Sequence, residues 1–346
     1  MKYTKNFIIV TILLFLSILI SFGQKSIIFI EDSADTFGNS RYLATALDSL
    51  ALDYFYYDTE TSGIPELEIL TAFDLVIWHT STWGVGLYFW EGSNTEEHLI
   101  KKYLDTPNAN LWLIGNDFMF EEYNSAPDNF IQGSFPYDYL GITSYKAQSY
   151  GDDGGVGVPY LVPTSPNVME DLTDIRWVFT HLNWADSYEI RETATPIFEF
   201  GDDNYPLKGG ITGYFYPREN GSNVMTFGFD LSLCSSKDTM VNTVQKVTNF
   251  FFKVSSTNNI TTEKQLFKVY PSIITNEVYI LTNQNSSKNL SMTLYNTQEQ
   301  IAFQSKVDIY EGSVKNISIP EFLPKGIYYC TLSHENIKET HKLIKI

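Results

Sequence analysis

Polar residues with chemical potential stand where apolar runs end. Asp32 follows "SIIFIE", His79 closes "FDLVIWH", and Asn116 and Asp117 follow "ANLWLIG". Glu31, Asp35 and Asp230 hold comparable positions. Carboxylates gathered around one imidazole are a recipe for acid–base hydrolysis or for a cation site, because each carboxylate disfavours ionisation of its neighbour. The sequence offers no nucleophile to go with them. It contains neither Gly-x-Ser-x-Gly nor His-Glu-x-x-His, and His79, His98 and His181 lack zinc-type spacing. Asp32, His79, Asn116 and Asp117 are therefore candidate ligand-binding residues, with no catalytic residue, metal or cofactor assigned.

Two further groups carry weaker signals. The loops "GDDGG" (151–155) and "GDDN" (201–204) invite a calcium reading. Asp-Gly pairs are also good turns, and the turn is the favoured reading. Trp83, Trp90, Tyr150, Trp177 and Trp184 could stack on sugar rings or pack a core, and packing is the expectation. Cys234 and Cys330 are too few for a disulfide framework and read as small buried side chains.

The elements that must position these residues follow from periodicity. Strand-like runs at 26–31, 54–58, 73–79 and 109–117 alternate with helical patterns at 39–52 and 95–105. The first helix places Leu43, Ala46, Leu47 and Leu50 on one face behind an Asn cap. That alternation means βαβ units and a mainly parallel open α/β sheet, which binds ligands beyond the carboxyl ends of its strands. Residues 118–207 lose the regularity and read as a large insertion of loops with short strands. Order returns with strands at 208–216 and 222–232, joined around Asn220-Gly221. A last helix at 235–254 has Met240, Val244, Val247 and Phe251 on one face. Residues 255–264 are a polar linker, and 265–346 read as a small all-β sandwich of short alternating runs.

Residues 1–24 have the layout of a secretory signal peptide: Lys2 and Lys5, an apolar run, then Ser21 and Gly23 before the cleavage point. No later run is long and apolar enough to span a bilayer. Residues 26–264 hold 12 Lys and Arg against 34 Asp and Glu, a net of −22, whereas 265–346 carry +1. A surface of that sign repels phosphate backbones, which excludes nucleic acid as a partner.

The pieces "VYPSIITNEVYI", "LYNTQEQ", "ISIPEFLPKGIYYCTLS" and the closing "KLIKI" resemble the type A C-terminal sorting domain of the type IX secretion system. The family's Tyr-Pro-Asn-Pro start is Tyr270-Pro271-Ser272-Ile273 here. The resemblance implies recognition by the type IX machinery, passage across the outer membrane of a Gram-negative cell, and a secreted or surface location. The order of elements over 25–254, with "IIFIEDS", "FDLVIWHTS", "WLIGND" and "VMTFGFDLS", resembles class I glutamine-amidotransferase-like domains, closest to degenerate secreted accessory modules. Active members carry a Cys on the turn after the fourth sheet strand; this chain has Asn116-Asp117. The resemblance thus implies a non-catalytic accessory or binding protein with a glycan or protein partner. The alternatives are an exported hydrolase using the strand-end carboxylates and a glycan-binding surface protein.

Overall fold

The computed structural model describes residues 25–32, 37–84, 86–165, 167–254, 267–270, 273–282, 287–298, 300–309, 314–334 and 337–346. The expected signal peptide (1–24), the linker (255–264) and Asp35 lie outside them. The chain divides into two compact units, one within residues 25–260 and the other within 261–346.

The first unit is built on strands β1 (Ile27–Glu31), β2 (Tyr54–Asp58), β3 (Leu75–Ser81), β4 (Asn110–Gly115) and β12 (Asn223–Phe227). These five run parallel in the order β2-β1-β3-β4-β12. Every residue of β3, β4 and β12 is buried, as continuous apolar runs require in a sheet covered on both faces. Helix α1 (Asn39–Ser49) buries Leu43, Ala46 and Leu47 and packs against α6 (Lys237–Val254), which buries Met240, Val244, Val247 and Phe251. The α1 cap differs from expectation. Gly38, left-handed at φ 70°, precedes the helix, and Asn39 turns its side chain to Thr82 and Asp230 instead. After the short helices α2 (Thr59–Ser62) and α3 (Leu67–Thr71), helix α4 (Leu99–Asp105) starts four residues late, because Thr95 closes a turn on Gly92 and the ring of His98 is drawn to the Phe89 carbonyl at 2.8 Å.

The expected short strands of the insertion turn the mainly parallel sheet into a mixed one. The insertion forms β5 (Asp128–Asn129), β6 (Ile142–Gln148), β7 (Tyr160–Pro163), β8 (Ile175–Arg176), β9 (Asp186–Ile190) and β10 (Thr195–Phe200). Together with β11 (Ile211–Pro217) they extend the same sheet antiparallel, past β12 in the order β11-β10-β7-β8, with β9, β6 and β5 branching from β11. The sheet is thus mixed, parallel in one half only. The β11–β12 hairpin turns at the expected place, with Gly221 at φ 83°.

The second unit holds two sheets around one core. One has the order β13 (Phe267–Tyr270), β15 (Glu277–Thr282), β18 (Val314–Ser318), all antiparallel. The other runs β14 (Ile273–Ile274), β20 (Ile337–Lys345), β19 (Gly326–His334), β16 (Ser287–Tyr295), β17 (Ile301–Ile309). Leu290, Met292 and Leu294 of β16 and Tyr328, Cys330 and Leu332 of β19 are buried at the two-residue period of one strand face. The C-terminal strand β20 lies between β19 and β14, so pairing on both sides orders it.

Candidate functional site

The carboxyl ends of the parallel strands gather the expected residues, but their side chains join separate networks. Asp32, just past β1, is fully buried. Its carboxylate accepts from the Trp78 indole at 2.7 Å, from the Phe89 and Tyr88 backbone N–H groups at 2.8 and 3.0 Å, and from the Thr59 hydroxyl at 3.3 Å. Burial pushes its pKa above the ordinary range, against the pull of those four bonds. Asp32 therefore staples the 88–90 turn onto the sheet, and its oxygens are taken by protein donors.

His79 joins Ser40 and Asp230. The Ser40 hydroxyl lies 2.7 Å from Nδ1, and Asp230 Oδ1 lies 3.1 Å from Nε2. Asp230 also accepts from the Thr82 hydroxyl at 2.7 Å and the Ser232 N–H at 2.9 Å. Although burial opposes it, the attraction of His79 and these hydrogen bonds hold Asp230 below the usual carboxylate range. This is a serine–histidine–aspartate chain in composition only. In hydrolases the serine pairs with Nε2 and meets the substrate. Here it pairs with Nδ1, and all three side chains are sealed from solvent in the interior. Asn116 belongs to the same network: its amide oxygen accepts the Asp230 N–H at 2.8 Å and its Nδ2 donates to the Asn183 carbonyl at 3.3 Å. Asp32, His79 and Asp117 thus enter separate hydrogen-bond networks.

Asp117 is different. It sits on the sharp turn between β4 and helix α5 (Phe118–Tyr123), with φ 61° and ψ 6°. Left-handed backbone is uncommon outside glycine and clusters at functional sites. Two glycines shape this turn. A Cβ on Gly115 would lie 2.1 Å from the Thr80 hydroxyl, and one on Gly84 would lie 2.7–2.8 Å from the Asn116-Asp117 backbone. Of the four candidates Asp117 alone is not fully enclosed. Partial burial pushes its carboxyl up to about 6, with Glu121 adding to the shift and a hydrogen bond from Gln148 opposing it.

Its partners come from the insertion. Gln148 Nε2, at the end of β6, donates to Asp117 Oδ1 at 2.5 Å and to Asp186 Oδ1 at 3.2 Å. Asp186 opens β9, is fully buried, and accepts from Tyr145 at 3.0 Å and from the Met119 N–H at 3.3 Å. Burial, then the Asp117 charge, raise its pKa well above the ordinary carboxylate value. One amide therefore bridges two carboxyls, one buried and one reaching solvent. Neither Gln148 nor Asp186 is marked by any motif or spacing in the sequence.

Exposed aromatics flank the turn. Trp83 precedes the glycine packed on it, is 61% exposed and stacks on Phe37 at 6.0 Å. The Trp184 carbonyl accepts the Asp117 N–H at 3.0 Å. The Trp184 ring is 39% exposed and meets Tyr150, 40% exposed, edge to face at 5.0 Å. Trp90 and Trp177, by contrast, are buried. In the Asp-Gly loop, Asp153 accepts from three backbone N–H groups and from Tyr205, so it is a turn staple. Asp203 pairs with Lys208. Burial raises the thiol pKa of Cys234, and pushes that of Cys330 up to about 12.

Residues 268–346 match the secretion system C-terminal sorting domain family. That match assigns the protein to type IX export, and hence to the outside of the cell or its outer surface. No curated protein matches the chain. No described helix is long and apolar enough to cross a membrane.

Proposed function

We propose that residues 25–254 form a non-catalytic binding domain of this exported protein. Its site is the Asp117 turn with its two aromatic pairs, and its ligand class is a glycan. One observation carries the reading: of Asp32, His79, Asn116 and Asp117, Asp117 alone reaches solvent, and its turn adjoins Trp83 through Gly84 and Trp184 through the Trp184 carbonyl, each Trp ring exposed in the pairs Phe37–Trp83 and Tyr150–Trp184. Exposed rings offer flat apolar faces to the C–H faces of sugar rings, while a fixed carboxylate accepts from their hydroxyls. Hydrolysis of a glycosidic bond calls for two carboxyl groups that both reach the substrate. Asp186, the carboxyl linked to Asp117 through Gln148, is sealed, which favours binding over turnover. The amidotransferase-like ancestry and the accessory role are part of this reading.

The test is affinity electrophoresis of the full exported chain through gels containing soluble polysaccharides. At least one polysaccharide is expected to retard it, and Trp83→Ala and Trp184→Ala are each expected to abolish the retardation without changing the circular dichroism spectrum. Retardation unchanged in both variants would move the site elsewhere.

A further inference from the structure

The opposite end of β4 and β12 holds a second feature that the Asp117 site does not use. A cavity of about 510 Å³ opens there, within the range of about 300–1,000 Å³ typical of small-molecule sites. Arg191, Arg218, Asp138, Glu219, Tyr137 and Tyr216 line it. The guanidinium of Arg191 lies 4.8 Å from the Tyr137 ring centre and 5.5 Å from that of Tyr216. It also donates to the Tyr216 hydroxyl. Gly141, at φ 75°, makes the arrangement possible. Its carbonyl accepts the Arg191 backbone N–H at 2.9 Å, and a Cβ there would press to 2.6 Å from the Tyr216 ring.

Arg191 is thus held in place without an acid. Among the described residues no carboxylate lies within ion-pair distance of it, in a domain with 12 Lys and Arg against 34 Asp and Glu. Its neighbour Arg218 shows the contrast, pairing with Asp105 at 3.2 Å over the Tyr139 ring. Of the acids that line the cavity, Asp105 is the one paired by Arg218, whereas Asp138 and Glu219 have no basic partner among the described residues. Among the described residues, Asp138 Oδ2 accepts only the Gly133 N–H, at 2.8 Å, and Glu219 is exposed with no partner. The Arg191 guanidinium and the Asp138 carboxylate, each held by a hydrogen bond, share the cavity without forming an ion pair. A simple anion would meet the guanidinium but also the repulsion of two acids. A simple cation would meet the reverse. A ligand carrying both charges a short distance apart satisfies each.

We propose that this cavity binds a free α-amino acid, its carboxylate on the Arg191 guanidinium and its ammonium toward Asp138, with Glu219 at the mouth. The inference is independent of the glycan reading, since it uses none of the same residues.

The test is isothermal titration of the full exported chain with each of the common free L-amino acids, and with the N-acetyl and methyl-ester forms of those that bind. At least one free amino acid is expected to bind, and blocking either charged group is expected to weaken binding about tenfold or more. Arg191→Met, which keeps the apolar stem, and Asp138→Asn are expected to weaken it similarly. Arg191→Lys, which keeps the charge without the fork, provides a variant less prone to misfold and is expected to bind at intermediate strength. Trp83→Ala is expected to leave amino-acid binding unchanged, which separates this site from the Asp117 turn. Absence of binding by every free amino acid would overturn the proposal. Equal binding of the blocked forms, or R191M binding as well as wild type, would do the same.

Discussion

Replacing Asp117 by Asn is expected to stabilise the first unit at alkaline pH and to leave it unchanged in acid. The Asp117 carboxyl goes from an ordinary 3.8 to about 6 in the fold. The folded state therefore holds the proton more tightly than the unfolded chain. The stability linked to this group is full below 3.8 and is lost as pH rises through 6. A tenfold difference in proton affinity is worth about 1.4 kcal/mol, so the gap amounts to about 3 kcal/mol. Asp117 is partly open to water, which screens the effect to about 1–2 kcal/mol. Asn removes the charge, tolerates the left-handed turn, and keeps an oxygen for Gln148. For a unit of this size the gain at pH 8 corresponds to a rise in melting temperature of about 3–6 °C. All six Trp lie between residues 78 and 184, so tryptophan fluorescence follows this unit alone in the full chain. A variant that melts at or below wild type at pH 8, or a gain that persists undiminished at pH 3.5, would refute the linkage argument.

Asp32→Asn should destabilise the same fluorescence transition by about 2–4 kcal/mol, because an amide N–H₂ replaces an oxygen that accepts buried donors. A loss below 1 kcal/mol would show that Asp32 does not staple the 88–90 turn. Ser40→Ala should cost about 1–3 kcal/mol by leaving one ring nitrogen of His79 without its partner, and any glycan binding should persist once the variant is folded. Gly84→Ala should prevent folding or cost more than about 3 kcal/mol, since its Cβ would meet the Asn116-Asp117 backbone at 2.7–2.8 Å; a soluble variant melting like wild type would contradict the close approach. Removal of residues 268–346 should leave the first unit folded but retained inside the outer membrane, assayed by fractionation and by the fluorescence melt.

The half of the fold that could be read from sequence is the half with strong local grammar. β1, β3, β4 and β12 are apolar runs buried on both faces, and α1 and α6 show the helical period, so run length and periodicity locate them. The insertion hid its strands because their partners are far away. β9 pairs with β6 and β11, β10 with β7 and β11, and β5 and β8 are two residues each. A two-residue strand leaves no alternation to see.

The candidate site was legible in its location and not in its wiring. Apolar runs ending in Asp32, His79 and Asp117 mark the carboxyl ends of the strands. What each side chain does there depends on direction. The pairing of β3 with β4 shifts register between His79 and Ser81, with Ser81 at φ 59°, so the chain re-aims just where the candidate residues stand. The partners Ser40, Gln148 and Asp186 come from other segments, and sequence spacing cannot announce a hydrogen bond across 31 or 39 residues.

The central claim, that the Asp117 turn binds a glycan and does not cleave it, is tested most directly by isothermal titration of the full exported chain with a polysaccharide that retards it in gels. A saturable binding heat is expected, lost in Trp83→Ala and Trp184→Ala, that returns to baseline after each injection. A steady heat that continues after saturation, accompanied by shortened chains and abolished in Asp117→Asn, would contradict it and make the protein a hydrolase.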